Sequence, residues 1–255
     1  MNVQARQRFL DDYLRIRRAE GRGSDDPAYY LALPYQDLSG KFVEQWEMRA
    51  KSYRYLEKYI LPPGPLDILD LGAGCGWMSY RLKLRGHFPV AVDILGDDRD
   101  GLRAARHYPY FPKVEAEFDR LPFPSRSFDL AIYNASIHYS PDYFTTLTEA
   151  KRCLRPGGGI IVVDSPIYSR REHGEMMRRE RRQQFLAQYG TESDHIGSLE
   201  FLDEDALWEL SRKLGIEWDW AMIWYGWAWH LRPLKAWWNG ARPPSRFGIL
   251  EGEVL

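Results

Sequence analysis

The sequence predicts an α/β protein: a doubly wound, mostly parallel sheet with helices ahead of it and an antiparallel hairpin at its C-terminal end. Three observations carry this. Short apolar runs at residues 66–71, 89–94, 130–134 and 160–164 alternate with helical stretches at about 76–85, 100–108 and 143–154. Strands alternating with helices form βαβ units, whose right-handed crossovers cover both faces of a parallel sheet. The glycine cluster Gly72-Ala73-Gly74-Cys75-Gly76 falls between the first run and the first helix, and two strand-like pieces close the chain.

Ahead of the sheet, residues 9–60 read as helices. LDDYLRIRRAE is followed by a break at GRGSDDP and then by FVEQWEMRAKSYRYLEKYI. In the last segment Phe42, Trp46, Arg49, Tyr53 and Leu56 recur at spacings of three and four, which makes one face aromatic. LPPGP ends that helix, because proline cannot continue it. The chain thus divides into a helical region, 1–62, and a sheet domain, 63–255. Beyond the fifth strand comes the arginine-rich SRREHGEMMRRERRQQFLAQYG, then a helix at about 203–214 opened by Asp203-Glu204-Asp205. The strand-like pieces of the tail, about 216–224 and 247–254, flank WAWHLRPLKAWWNG. Trp218, Trp220, Trp224, Tyr225 and Trp227 alternate as in a strand and are expected to pack the last hairpin against the helices.

Composition narrows the function. A chain of 255 residues, 44% hydrophobic, can bury one sizeable core. Its formal net charge of −1 provides no general attraction to nucleic acid or to an anionic membrane, so neither is an expected partner. Cys75 and Cys153, the only cysteines, suggest no disulfide framework and a reducing, cytoplasmic setting. The N-terminus lacks the apolar core of a secretory signal, no apolar run is long enough to span a bilayer, and no metal site is expected.

In an open parallel sheet, ligands bind outside the carboxyl ends of the strands where the strand order switches. The glycine turn lies there, and glycine lets a ligand approach the backbone without meeting a Cβ. Asp93 closes the second strand, where a carboxylate can accept hydrogen bonds from two ribose hydroxyls. A nucleoside-bearing cofactor is the expectation. The dinucleotide pattern G-x-G-x-x-G is not present; the loop reads G-x-G-x-G followed by Trp77.

LDILDLGAGCGWMSYRL, VAVDI, AEFDRLPFPSRSFDLAIYNASIHYS and EAKRCLRPGGGIIVVDS, in that order and spacing, resemble the class I S-adenosylmethionine-dependent methyltransferases, nearest the small-molecule enzymes of the ubiquinone/menaquinone-biosynthesis type. The resemblance covers about residues 66–165 and implies a Rossmann-like fold. Its cofactor would be S-adenosylmethionine, with S-adenosylhomocysteine as product. It further implies that Asp70, with the backbone of Gly72, Ala73 and Gly74, meets the methionine portion. Asp93 would hold the ribose and Ile94 would pack on the adenine. The family writes an acid four residues before the leucine of its LPF segment, to bind the adenine amino group. Here that position is Glu117, followed by Phe118 and Asp119, and either acid can serve. Asp70 has the alternative of tying neighbouring backbone amides. Asn134 is expected beside the cofactor's carboxylate or the reacting methyl.

Methyl transfer from a sulfonium needs chiefly in-line placement of a nucleophile, and a base only for a protonated acceptor of high pKa. His138 and Tyr139, just past the fourth strand, are the candidate catalytic residues; His138 is either a proton acceptor or a wall that shapes the pocket. The arginine run is either a solvated helix face partnered by Glu175 and Glu180 or a clamp for an anionic substrate formed by Arg171 and Arg178. Its position suggests a helical lid insertion at about 168–202, with Tyr168 as a substrate contact. By resemblance, residues 1–62 form a cap, with Trp46, Arg49 and Tyr53 toward the substrate. The leading expectation is methylation of a small molecule. The alternatives are a methyltransferase acting on a macromolecule and a non-catalytic protein that binds the cofactor.

Overall fold

The computed structural model describes residues 3–254. Helices α1 (Val3–Glu20), α2 (Pro27–Ala32) and α3 (Val43–Tyr55, extended by a π-helical turn, Leu56–Ile60) precede β1 (Asp67–Leu71). Next come α4 (Trp77–Leu84), β2 (Phe88–Asp93), a 3-10 stretch (Leu102–His107), β3 (Lys113–Glu115) and β4 (Phe128–Asn134). Then α5 (Tyr143–Cys153) runs directly into β5 (Leu154–Val163) and is followed by β6 (Ile167–Tyr168), α6 (Arg171–Tyr189) and β7 (Leu202–Asp203). The chain ends with α7 (Glu204–Leu214), β8 (Ile216–Ala221), α8 (Trp227–His230), α9 (Arg232–Trp238) and β9 (Ile249–Val254).

Seven strands form one sheet in the order β3-β2-β1-β4-β5-β9-β8. β1 to β5 pair in parallel, while β9 is antiparallel to both β5 and β8. The fold is therefore the Rossmann-like α/β architecture, with the expected C-terminal hairpin. Chain direction across the sheet switches between β1 and β4. Side-chain alternation explains why both faces are covered. Ile68, Ile132, Ile161 and Val163 join one core with Trp77, Met78 and Leu82 of α4. Leu69, Leu71, Ala131, Tyr133, Ile160 and Val162 join a second core with Leu147 and Ala150 of α5 and Leu210 of α7.

Register places the functional edge. Leu71 sits opposite Val92 on one side and Tyr133 on the other. The next residue of each strand, Gly72, Asp93 and Asn134, therefore comes out in one row.

Several local readings differ from expectation. Residues 102–107 wind as 3-10 rather than α-helix, and α2 and the three-residue β3 carried too little pattern to be seen. β8 stops at Ala221, so the expected strand alternation ends there. Trp218 and Trp220 pack against the sheet's second core and Tyr225 is buried, but Trp224 and Trp227 are exposed and meet edge to face, their centroids 5.0 Å apart. Gly226, at φ +115°, turns the chain between them.

Candidate active site

The glycine turn is pinned from β2. Gly72 and Ala73 both donate their N–H to the Val92 carbonyl, at 2.8 and 3.0 Å, and the Gly74 N–H donates to Asp93 Oδ2 at 2.7 Å. Gly72 has φ +77°, and a Cβ there would collide with Ser136. At Gly74 a Cβ would meet nothing closer than the Asp100 carbonyl at 3.6 Å, so the backbone borders open space. Asp93 Oδ1 accepts from the Leu95 N–H at 2.8 Å. Each carboxylate oxygen thus takes one backbone amide and keeps a lone pair for a ligand. Burial pushes the Asp93 carboxyl up to about 6, against the pull of the backbone amides of Gly74, Leu95 and Ile94.

The turn opens a cavity of about 460 Å³. Gly72, Ala73, Gly74, Asp93, Ile94, Glu117, Phe118, Asp119 and Asn134 all line it, as do His138, Tyr139, Trp46 and Arg49. Glu117 and Asp119 both reach it, so the structure brings together both acids that the sequence offered. Asn134 is 9% exposed and its Oδ1 has no partner within the described residues. Arg49 lies over the Trp46 ring at 4.8 Å and, among the described residues, forms no ion pair. Desolvation holds its pKa below the usual arginine value, opposed by the nearby Asp164 carboxylate.

Four expected site residues lie elsewhere. Asp70 is fully buried beneath the turn, not in the cavity. Its Oδ2 accepts from the Ser79 N–H at 3.0 Å and from Ser79 Oγ at 2.7 Å, which ties β1 to the first turn of α4. Asp70 shares a face of β1 with Ile68, and that face turns toward α4. Burial raises its carboxyl to about 7. Tyr53 is packed in the core against Trp77 and Tyr35. Arg171 pairs with Asp203 at 3.2 Å and Arg178 with Glu175 at 2.6 Å, and neither lines this cavity or the one adjoining it. The solvated-face reading of these two arginines therefore fits better than the clamp.

The expected cap of residues 1–62 includes α1, but the sequence singled out none of its side chains as a wall. Phe9, Tyr13 and Arg17 line the cavity, and Arg17 forms a two-pronged pair with Asp100, just beyond β2. Arg18 reaches Asp97 at 3.4 Å, and Arg6 donates to the Ile94 carbonyl at 3.4 Å. The legible signal was arginine on one helix and the acidic run Gly96-Asp97-Asp98-Arg99-Asp100, but nothing local joins them. Asp164 was also missed. It leaves β5 at φ +50°, lines the cavity and accepts from Ser52 Oγ at 2.6 Å and the Tyr225 hydroxyl at 3.0 Å.

A second cavity of about 440 Å³ adjoins the first. His138, Tyr139, Phe9, Tyr13, Pro166 and Phe247 line both. Phe9, Tyr13 and Tyr139 form an aromatic cluster with centroids 5.7 to 6.2 Å apart. Tyr168 lines this second cavity only, its hydroxyl accepting from Arg242 at 3.0 Å. Of the arginines of α6, Arg181 lines it, held by Glu200 at 2.5 and 2.6 Å. His138 Nδ1 is 3.4 Å from Ser165 Oγ. Desolvation in the wall, reinforced by the Arg49 and Arg181 guanidinia, holds the imidazole down at about 4. Cys75, in the turn, is buried with its thiol pushed up to about 12, which leaves it inert.

A family described as a methyltransferase domain matches residues 69–162, the stretch that holds the turn, Asp93 and Asn134. Over that stretch the chain is similar to S-adenosylmethionine-dependent methyltransferases. It is 35% identical over 101 residues to a malonyl-[acyl-carrier protein] O-methyltransferase of Hahella chejuensis, covering 38% of this chain and 36% of that one. It is 33% identical over 102 residues to a demethylmenaquinone methyltransferase of a Mycobacterium species, covering 40% and 43%. The chain spans about half the length, or less, of the curated relatives it matches. Among solved structures, a SAM-dependent methyltransferase from Thermotoga maritima superimposes with a TM-score of 0.52 at 19% identity, over 99% of both chains. S-adenosylmethionine is the cofactor that this family and fold imply. The residues present fit it: a carboxylate with free lone pairs beside a bare glycine backbone and, among the described residues, an unpartnered buried amide oxygen at Asn134 and a guanidinium at Arg49 without an ion pair.

Proposed function

We propose that this protein transfers a methyl group from S-adenosylmethionine to a small organic acceptor, mainly by proximity and in-line orientation. The observation that best supports this is the meeting of two cavities at His138 and Tyr139, one floored by the glycine turn and Asp93, the other lined by both apolar and charged side chains, Met177, Phe185 and Phe247 among the first and Arg181 and Glu200 among the second. When bound, the cofactor supplies a methyl already activated on a sulfonium.

The chain's own residues have these roles. Asp93 accepts the ribose hydroxyls. Ile94, Leu95 and Phe118 enclose the adenine, and Glu117 or Asp119 accepts its amino group. Arg49 and Asn134 hold the amino-acid end, with Arg49 taking the carboxylate. The acceptor occupies the second cavity, against Met177, Phe185 and Phe247. His138 is neutral at physiological pH, so it can accept a hydrogen bond from an acceptor hydroxyl and aim the oxygen. An imidazole held near 4 is too weak a base to deprotonate a phenol far, so orientation is its main contribution. The aromatic cluster of Phe9, Tyr13 and Tyr139 keeps water from the junction. Of the relatives, the demethylmenaquinone methyltransferase is named for a small acceptor, which supports this reading, while the other is named for a malonyl group on acyl-carrier protein.

Calorimetric titration with S-adenosylhomocysteine and with NAD(P), followed by a labelled-methyl screen against metabolite fractions, tests this reading. Tight binding of S-adenosylhomocysteine and label in a small product are expected. Selective binding of NAD(P), or label found only in macromolecules, would overturn it.

A further inference from the structure

The connection between β8 and β9 departs from the rest of the surface. Trp227, Trp237 and Trp238 are 73%, 74% and 81% exposed, and Trp224, Leu231 and Leu234 are each more than half exposed. Leu231, Leu234 and Trp238 are three and four residues apart along α9, so they share one face, with Trp237 beside it. None of these side chains is needed to fill a core. Single exposed apolar residues are ordinary, but six within fifteen positions are not.

Charge identifies the occupant. Between Asp219 and Glu251 the sequence contains no acidic residue but four basic ones, Arg232, Lys235, Arg242 and Arg246. Arg242 pairs with Glu180 and Arg246 with Glu204, and Arg232 is engaged by the Ser245 carbonyl at 2.9 Å and the Trp229 ring, whereas the exposed Lys235 has no carboxylate partner among the described residues. The whole-chain charge of −1 conceals this local excess. Tryptophan and leucine beside an exposed lysine, with no acid in the segment, is the composition that partitions into the headgroup region of an anionic bilayer. The indoles sit at the boundary while the lysine meets lipid phosphates. Among the described residues no helix is long and apolar enough to cross a membrane, so any attachment through them is peripheral.

We infer that the α8–α9 segment docks this protein reversibly on an anionic lipid surface through Trp227, Trp237, Trp238 and Lys235. The inference stands apart from the methyl-transfer reading, since none of these four residues lines either cavity.

Co-sedimentation of the full chain with phosphatidylcholine vesicles, and with the same vesicles containing phosphatidylglycerol, tests it. Binding should require phosphatidylglycerol, weaken as salt is raised, and fall at least ~10-fold in Trp237→Ala/Trp238→Ala, whose exposed side chains can be removed without loss of packing. Lys235→Glu should weaken binding with the aromatics intact. Light scattering of the wild type and the double variant supplies the competing outcome. A dimer that the double variant abolishes would assign the patch to a second copy and overturn the lipid reading. Sedimentation with neither vesicle, or equally with both, would also overturn it.

Discussion

Replacing Asp93 with asparagine removes the negative charge at the ribose position while nearly keeping the side chain's shape. Hydrogen bonds to a charged group contribute ~1.5–3 kcal/mol each, and the carboxylate has lone pairs for both ribose hydroxyls. Both oxygens also hold a backbone N–H, from Gly74 at 2.7 Å and Leu95 at 2.8 Å. An amide must turn its NH2 toward one of them, leaving two donors face to face at a cost of ~1–3 kcal/mol. The loss of a single charged bond already corresponds to ~10–100-fold in Kd. Titration calorimetry with S-adenosylhomocysteine should therefore show affinity reduced by ~10–100-fold or more in Asp93→Asn. Because the free carboxyl titrates near 6, wild-type affinity should also fall as pH drops through about 6, and the variant should lack that dependence. Undiminished binding by Asp93→Asn at neutral pH would refute the assignment of Asp93 to the ribose.

Three further outcomes follow from the same geometry. Gly72→Ala should lower the thermal midpoint and abolish S-adenosylhomocysteine binding, because a Cβ at φ +77° strains the backbone by ~1–2 kcal/mol and collides with Ser136 as well. Differential scanning calorimetry and titration check both effects. Arg17→Ala should accelerate release of S-adenosylhomocysteine in stopped-flow measurements while changing stability little, since the residue ties α1 to Asp100 at the cavity wall. His138→Gln should retain most turnover. It should also gain stability relative to wild type as pH falls from about 6.5 to about 4. In that window the unfolded wild-type chain takes up a proton on this imidazole that the folded chain refuses, so wild type loses stability and the glutamine variant does not. Thermal midpoints of the two proteins across the window measure the difference.

The parts of the site readable from sequence are those set by local spacing. Three strand ends in register place Gly72, Asp93 and Asn134 together, and each strand was visible as an apolar run. Asp70 shows where the resemblance and the pattern diverged. Strand alternation puts it on the face of Ile68, toward α4, where it is a buried tie, whereas the resemblance placed it against the cofactor. Helical spacing grouped Trp46, Arg49 and Tyr53 on one face correctly. It does not say which part of that face meets core and which meets cavity, so Tyr53 was misplaced. The arginines of α6 looked like a clamp because density of charge was visible and pairing was not; Arg171 and Arg178 are neutralised by Asp203 and Glu175. Arg17 and Asp100 are 83 positions apart, and no periodicity connects them. Whole-chain charge averaged away the acid-free stretch between Asp219 and Glu251.

Helix α1 contributes Phe9, Tyr13 and Arg17 to both cavities at once. A wall shared by two rooms cannot open onto one alone: any displacement of α1 would expose both cavities together. Demethylated cofactor and methylated product should then depart within a single opening event, and freezing α1 shut would arrest turnover at exit rather than at bond formation.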